Sequence, residues 1–227
     1  MTQEYLKDIL QWQWNLWKIP LLFWEKTIHW DTFNYPIALE IGAREGGLSL
    51  WLANKNFKVV CSDIQNPKIA ASTLHEKYNV HEKIEYQIID ATNIPYENYF
   101  DIILFKSVLG GIGYHRQTEK QIKTIQQIYK ALKPSGYLLF AENAKGSYVH
   151  HLLRKNRQWS TYWNYLNYDF FKKNLSLFQN YKIKGTGFCS TLLPFNVTQK
   201  FLIHIDQLFN KFIPLSCQPI LYGIAQK

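Results

Sequence analysis

The residues of this 227-residue chain whose types and spacing could do chemistry gather first at Glu40, Gly42, Gly46 and Gly47. A second acid, Asp63, follows 23 residues after Glu40. An apolar run, Ile37 to Ile41, leads into Gly42, and an apolar-periodic segment (Leu48, Leu50, Trp51, Leu52) begins straight after Gly47. That pattern is strand, glycine turn, helix. In an open α/β sheet such a turn lies at the carboxyl end of a strand, beside a crevice that binds ligands. A turn built for a pyrophosphate has glycine at its first, third and sixth positions. Here those positions are Gly42, Arg44 and Gly47, so the middle glycine is missing, and the acid Glu40 stands at the strand end. A carboxylate aimed at the crevice disfavours pyrophosphate and favours a nucleotide-bearing cofactor with a cationic end, an ammonium or a sulfonium.

The run Glu40-Ile-Gly42-Ala-Arg44-Glu-Gly46 resembles the first motif of the class I S-adenosylmethionine-dependent methyltransferases, acid-x-Gly-x-Gly-x-Gly, with Arg44 in place of the central glycine. A second stretch, Leu132-Lys-Pro134-Ser-Gly136 followed by YLLFAEN, is similar to that family's Leu-Lys-Pro-Gly-Gly turn and fifth strand, with Ser135 replacing one glycine. By motif the resemblance covers residues 35 to 145, and it reaches the C-terminus by topology. It implies S-adenosylmethionine as the cofactor, with Glu40, Gly42 and Gly46 forming the loop around it. It also implies that Asp63 accepts from the ribose hydroxyls, that Ile64 packs on the adenine, and that Asp90 accepts the adenine amino group while the Ala91 amide meets a ring nitrogen. Read from the residues alone, Asp63 lies near the roughly twenty-residue spacing at which an acid meets a ribose in nucleotide-binding α/β units. A helix N-cap or turn role is the alternative for Asp63, and a turn role for Asp90.

Methyl transfer to a hydroxyl benefits from a base, and His115 is the catalytic candidate, with His150, His151, Glu142 and Tyr114 behind it. After the fourth strand the chain reads FKSV, where family members that methylate nucleobase or amide nitrogens often carry an Asn/Asp-Pro-Pro-aromatic tetrad. Lys106 in that stretch is a ligand for a substrate phosphate, a partner of Glu40 or an exposed lysine. No zinc-ligand spacing, P-loop or Ser/His/Asp order is present, and no metal is expected.

These residues need a sheet to hold them. Strands are expected at Ile37–Ile41, Lys58–Asp63, Ile84–Ile89, Phe100–Leu104, 137–143, Tyr181–Cys189 and Cys217–Ala225. Helices are expected after Gly47, over Pro67–Tyr78, over 117–132 and over 197–212. The fold class is therefore α/β: a Rossmann-like, mostly parallel sheet of about seven strands with helices on both faces, the last strand antiparallel by the family resemblance, and an N-terminal helical appendage. Gly110 to Gly113, with three glycines in four positions, reads as a flexible loop. Residues 1–34 hold five of the eight tryptophans. Their apolar positions recur at helical spacing, and Pro20 is expected to break the first helix. This segment reads as an appendage or lid on a domain of residues 35–227. An interfacial membrane helix is the alternative, although the Lys/Arg-rich face such a helix carries is missing.

Net charge is +9, and the excess lies in residues 130–200, which hold 11 Lys/Arg against 2 Asp/Glu. Within them, basic and aromatic residues interleave over 145–173, so 143–180 is the candidate substrate wall; a surface helix burying Trp159, Trp163 and Leu166 is the rival reading. Hydrophobic residues make up 47% and charged ones 19%, a globular balance. Three cysteines without ligand spacing fit a reducing compartment, and no apolar run reaches spanning length, so the expectation is a cytoplasmic, soluble protein. Function then reads as transfer of a methyl group to an oxygen or nitrogen of a small-molecule acceptor, with a sugar or nucleotide-linked intermediate, and an anionic substrate, among the candidates. The alternatives are an RNA methyltransferase and a non-catalytic binding protein on the same fold.

Overall fold

The computed structural model describes residues 1–155, 162–192 and 196–227. Trp159 of the candidate substrate wall, with the rest of 156–161, lies outside the described residues. Seven strands form one sheet: β1 (Ile37–Ile41), β2 (Lys58–Asp63), β3 (Ile84–Ile88), β4 (Phe100–Lys106), β5 (Leu132–Asn143), β6 (Asn180–Thr186) and β7 (Ile220–Gln226). Their order is β3-β2-β1-β4-β5-β7-β6. β1 to β5 pair in parallel, and β7 runs antiparallel to both its neighbours. The order reverses between β1 and β4, so the carboxyl ends of those strands flank the crevice of a doubly wound sheet.

Period-two alternation decides which helical layer each strand residue meets. Ala38, Ile102, Leu104 and Leu139 face a layer containing α1 (Gln3–Leu10), α2 (Trp14–Thr27) and α3 (Gly47–Ala53). Leu39, Ile41, Ile103, Phe105 and Phe140 face α6 (Thr118–Ala131) and α8 (Tyr168–Leu175). Glu40 and Lys106 share the parity of the first set, which directs both toward α1 and α3.

Residues 3–27 belong to this core rather than standing off it. Trp17, Trp24, Leu16 and Leu21 are buried in the same cluster as Ala38 and Leu104, and Trp24 Nε1 donates to Gly223 O at 3.0 Å. A Cβ on Gly47 would lie 2.1 Å from Ile9 O, so the end of α1 rests directly on the first turn of α3. The break between the two helices falls at Gln11 and Gln13, which take φ of 61° and 47°, and not at Pro20. Pro20 is buried inside α2. A mid-helix proline costs about 3 kcal/mol, and burial of Trp17, Leu21 and Trp24 around it holds the helix intact.

Two other expectations change. Gly110–Gly113 is not an open loop: Leu109–Ile112 form a short helix, α5, on which the Trp163 indole lies so closely that a Cβ on Gly110 would sit 1.7 Å from its Nε1. The glycines answer close packing. Strand β5 begins at Leu132, with a register shift against Phe100 and Ile102 and Ser135 at φ 64°, so the Lys-Pro-Ser-Gly turn is a bulged start of the strand.

Candidate functional site

The glycine turn after β1 is closed by its own backbone. Ala43 N donates to Ser62 O at 2.9 Å and Gly46 N to Ala43 O at 2.8 Å. Gly42 and Gly46 have φ of 64° and 69°, and Cβ atoms there would come within 2.6 Å of Val108 and of the His75 ring. Arg44 also takes a left-handed conformation, φ 50°, the conformation the absent glycine would adopt at less cost. Its side chain points outward, with the guanidinium carbon 5.2 Å from the Trp12 ring. His75, on α4 (Pro67–Lys77), is fully buried and clamps the turn from behind. Its Nε2 lies 2.8 Å from Gly46 O and its Nδ1 2.7 Å from Tyr86 Oη; burial lowers its pKa.

Two adjoining cavities open on this turn and share Gly42, Asp63 and Val108. The smaller, about 360 Å³, is bounded by Asp63, Ile64, Asp90, Ala91 and Ile112. Asp63 Oδ2 accepts from Arg44 N at 3.0 Å, and Oδ1 is met by Gln65 N only at 3.4 Å. Asp90 Oδ1 accepts from Thr92 N and Oγ1, each at 2.8 Å, while Oδ2 accepts no hydrogen bond among the described residues. Ile64 beside them is 64% exposed, a largely uncovered apolar face. A carboxylate with spare acceptor capacity, an uncovered aliphatic face and a second carboxylate are what a ribose and an adenine require, so these residues fit an adenosine moiety.

The larger cavity, about 640 Å³, is lined by Trp12, Arg44, Lys106, Asn143, Arg154 and Trp163 among others. Lys106 Nζ donates to Leu10 O at 3.0 Å and stands 3.2 Å from the centroid of the Trp12 ring. Burial pushes its pKa down to about 7, with Glu40 and Glu45 opposing and Arg44 reinforcing the drop. Asn143 Nδ2 donates to Ser107 Oγ at 2.6 Å, fixing the rim between β4 and β5. Trp12, Lys106 and Arg154 were not among the expected cofactor or catalytic residues. The end of α1 and the residues that follow it bring the first two together, through Leu10 O and the Trp12 ring, and no local pattern announces it.

Glu40 does not line either cavity. It is 4% exposed, and its Oε2 accepts from Ser49 N at 2.6 Å and Ser49 Oγ at 2.5 Å, at the start of α3, where the helix dipole favours an anion. Burial raises its pKa to about 7 against those hydrogen bonds. The expected direct view of the crevice is thus corrected: strand parity turns the carboxylate under the glycine turn. Glu142 is likewise inward, with no exposed surface. Its Oε2 accepts from Val108 N at 2.8 Å and Leu109 N at 2.7 Å, and its Oε1 from Asn143 N at 3.0 Å; burial raises it to about 7. It caps α5 and has no oxygen turned to a substrate.

Of the histidines, His150 lines the larger cavity but both its nitrogens are taken. Nδ1 accepts from Ser147 N at 3.2 Å and lies 2.7 Å from Ser147 Oγ; Nε2 lies 2.8 Å from Phe188 O. Burial lowers its pKa. His115 and His151 line neither of these cavities. They lie in a neighbouring cleft, behind Trp163, with Tyr114 stacked on Tyr162 at its edge. Among the described residues no cluster of three or more His, Cys, Asp or Glu could hold a metal ion, and no helix is long and apolar enough to cross a membrane.

Residues 39–140 match a family model described as a methyltransferase domain. No curated protein matches the chain in sequence. Among solved structures, phosphoethanolamine N-methyltransferase 2 of Haemonchus contortus, in complex with phosphomonomethylethanolamine and S-adenosylhomocysteine, superposes with a TM-score of 0.66 at 16% identity, over 99% of this chain and 60% of that one. The CurJ carbon methyltransferase gives 0.54 at 19% identity, over 92% and 52%. The [4+2]-cyclase SpnF gives 0.61 at 15% identity, over 92% and 80%. At such identities the likeness is one of fold.

Proposed function

We propose that this chain is a class I S-adenosylmethionine-dependent methyltransferase, a reading supported by its sheet order and by the methyltransferase-domain match over residues 39–140, and that it places the methyl group on an oxygen or nitrogen of a small anionic acceptor. The observation that carries the acceptor's charge is the larger cavity. Among the described residues three basic side chains, Arg44, Lys106 and Arg154, line it, and Asp63, at the boundary with the smaller cavity, is the single acid. A concave site lined by one sign of charge attracts the opposite sign.

The cofactor supplies an electrophilic methyl group on a sulfonium with a neutral leaving group. What remains for the chain is alignment, the largest lever available for an in-line displacement. In this reading Asp63 accepts from the ribose hydroxyls, Ile64 covers one adenine face and Asp90 Oδ2 receives the adenine amino group. Gly42 lets the backbone pass close to Val108, which forms the floor between the two cavities. Lys106 holds an acid oxygen in the larger cavity, and Trp12 roofs it. Glu40 and Glu142 support from beneath, tying the first turn of α3 and the start of α5 to the sheet. His150 pins the rim to Phe188 and is not free to take a proton. Arg44, in the place of a family glycine, leaves the turn open because its side chain leans out over Trp12. The test is methyl incorporation from labelled S-adenosylmethionine into matched pairs of acceptors, each a carboxylated or phosphorylated compound and its neutral ester. Turnover confined to the anionic member supports the assignment; equal turnover of both overturns it.

A further inference from the structure

Beyond Trp163 lies a second cleft, of about 920 Å³, within the size range of ligand sites. Arg116, Lys145, Arg154, His115 and His151 line it, and among the described residues no Asp or Glu does. Among the described residues neither Arg116 nor Lys145 enters an ion pair. Its wall is held in place by a network. Asn164 N donates to Gly110 O at 3.0 Å, Asn164 Nδ2 to Gln121 Oε1 at 2.8 Å and Thr118 Oγ1 at 3.1 Å, and the buried Gln121 Nε2 to Leu109 O at 2.8 Å and Asn164 O at 3.0 Å. The Arg154 guanidinium donates to Ala144 O at 2.6 Å and Lys145 O at 3.0 Å and lies 4.3 Å from the Tyr165 ring centroid, which fixes its position.

One further observation points to an occupant. His115 and Arg116 both take left-handed conformations, φ 56° and 64°, and strain of this kind in side-chain-bearing residues clusters at binding sites. Trp163 walls this cleft from the larger cavity, with its buried Nε1 packed on Gly110. A cluster of cations with no carboxylate among the described residues matches a phosphate group, whose oxygens accept from several donors at once.

We propose that this cleft binds the phosphate end of the acceptor, which is therefore a phosphate ester whose reacting atom reaches past Trp163 into the cavity of Lys106. This rests on the methyltransferase reading above and gives its substrate a chemical class. The full-length protein would be titrated with inorganic pyrophosphate in three forms: unaltered, Arg116→Ser with Lys145→Ser, and Lys172→Ser with Lys173→Ser. The last pair removes the same charge from α8, away from the cleft. S-adenosylmethionine would be titrated into each form as a check on the fold.

Submillimolar pyrophosphate binding, weakened at least tenfold by the cleft pair and less than twofold by the α8 pair, is the expected result, with cofactor affinity unchanged within twofold. Equal pyrophosphate affinity in all three forms, or none in the unaltered protein at millimolar concentration, overturns the proposal. So does a 20-nucleotide single-stranded RNA that binds more than a hundredfold tighter than pyrophosphate with a steep salt dependence, since the cleft would then serve a polynucleotide. Failure of the unaltered protein to bind S-adenosylmethionine while the pyrophosphate pattern holds would remove the methyltransferase reading and leave the phosphate site standing.

Discussion

Replacing Lys106 by Met should stabilise the fold while weakening acceptor binding. The side chain keeps its length and loses its ammonium. In the folded chain the amine's pKa falls from 10.5 to about 7 because it is buried beneath Trp12. Between those two values the unfolded chain holds a proton that the folded chain has released, so stability rises with pH from about 7 to 10.5 and is penalised most near neutrality. At face value that drop is worth about 5 kcal/mol at pH 7. Solvent at a half-buried residue screens it, and about 1–2 kcal/mol is the usable figure. Against this stand the contact with Trp12 and the bond to Leu10 O, together about 1 kcal/mol. The net is a gain of up to about 1 kcal/mol at pH 7, or about 2–4 °C in Tm for a chain of this size. By pH 10 the advantage should disappear. Thermal melts of both proteins from pH 7 to 10 would measure it. With an anionic acceptor the same variant should lose about 1.5–3 kcal/mol of binding, read as a KM raised some tenfold to a hundredfold. A variant less stable than the parent at pH 7, or one whose Tm difference does not change with pH, refutes the reasoning.

Three further perturbations probe other parts of the site. Asp63→Ala should weaken S-adenosylmethionine by about 1–3 kcal/mol as its ribose hydrogen bonds are lost, and calorimetry showing unchanged affinity in a folded variant would remove that assignment. Glu142→Ala leaves the amides of Val108, Leu109 and Asn143 without their acceptor. Denaturant unfolding should show a loss of about 2–3 kcal/mol, and a loss under 0.5 kcal/mol would mean the cap carries little of the α5 fold. Gly110→Ala drives a methyl into the Trp163 indole, with an expected cost of about 1–3 kcal/mol; a stability equal to the parent's would show that the indole moves aside freely.

How far the sequence carried depends on the range of the forces involved. Ile37–Ile41, the glycine turn and the helix from Gly47 were legible because apolar periodicity and positive-φ glycines are local signals. Asp63 and Asp90 were placed at strand ends for the same reason, and both border the smaller cavity with Ile64. Glu40 stands beside the turn in sequence, but its strand parity carries it under the turn to Ser49 of α3, and which layer each parity meets depends on long-range packing. At Pro20 the local signal, proline propensity, favours a break, whereas the burial of Trp17 and Trp24 that keeps α2 whole is long-range. Lys106 and Trp12, 94 residues apart in sequence, meet only because α1 packs on α3 and so carries the residues after it to the end of β4. His115 was chosen for its loop position, and the chain path of Tyr162–Tyr165 then decided on which side of Trp163 it would lie.

The most direct test of the account is the structure of the protein with S-adenosylhomocysteine bound. The account predicts adenine against Ile64 with its amino group at Asp90, the ribose hydroxyls at Asp63, and the sulfur at the boundary of the two cavities beside Gly42 and Val108, facing the space in front of Lys106. An adenosine moiety elsewhere on the molecule, or one reversed so that its base lies beneath Trp12, would contradict it.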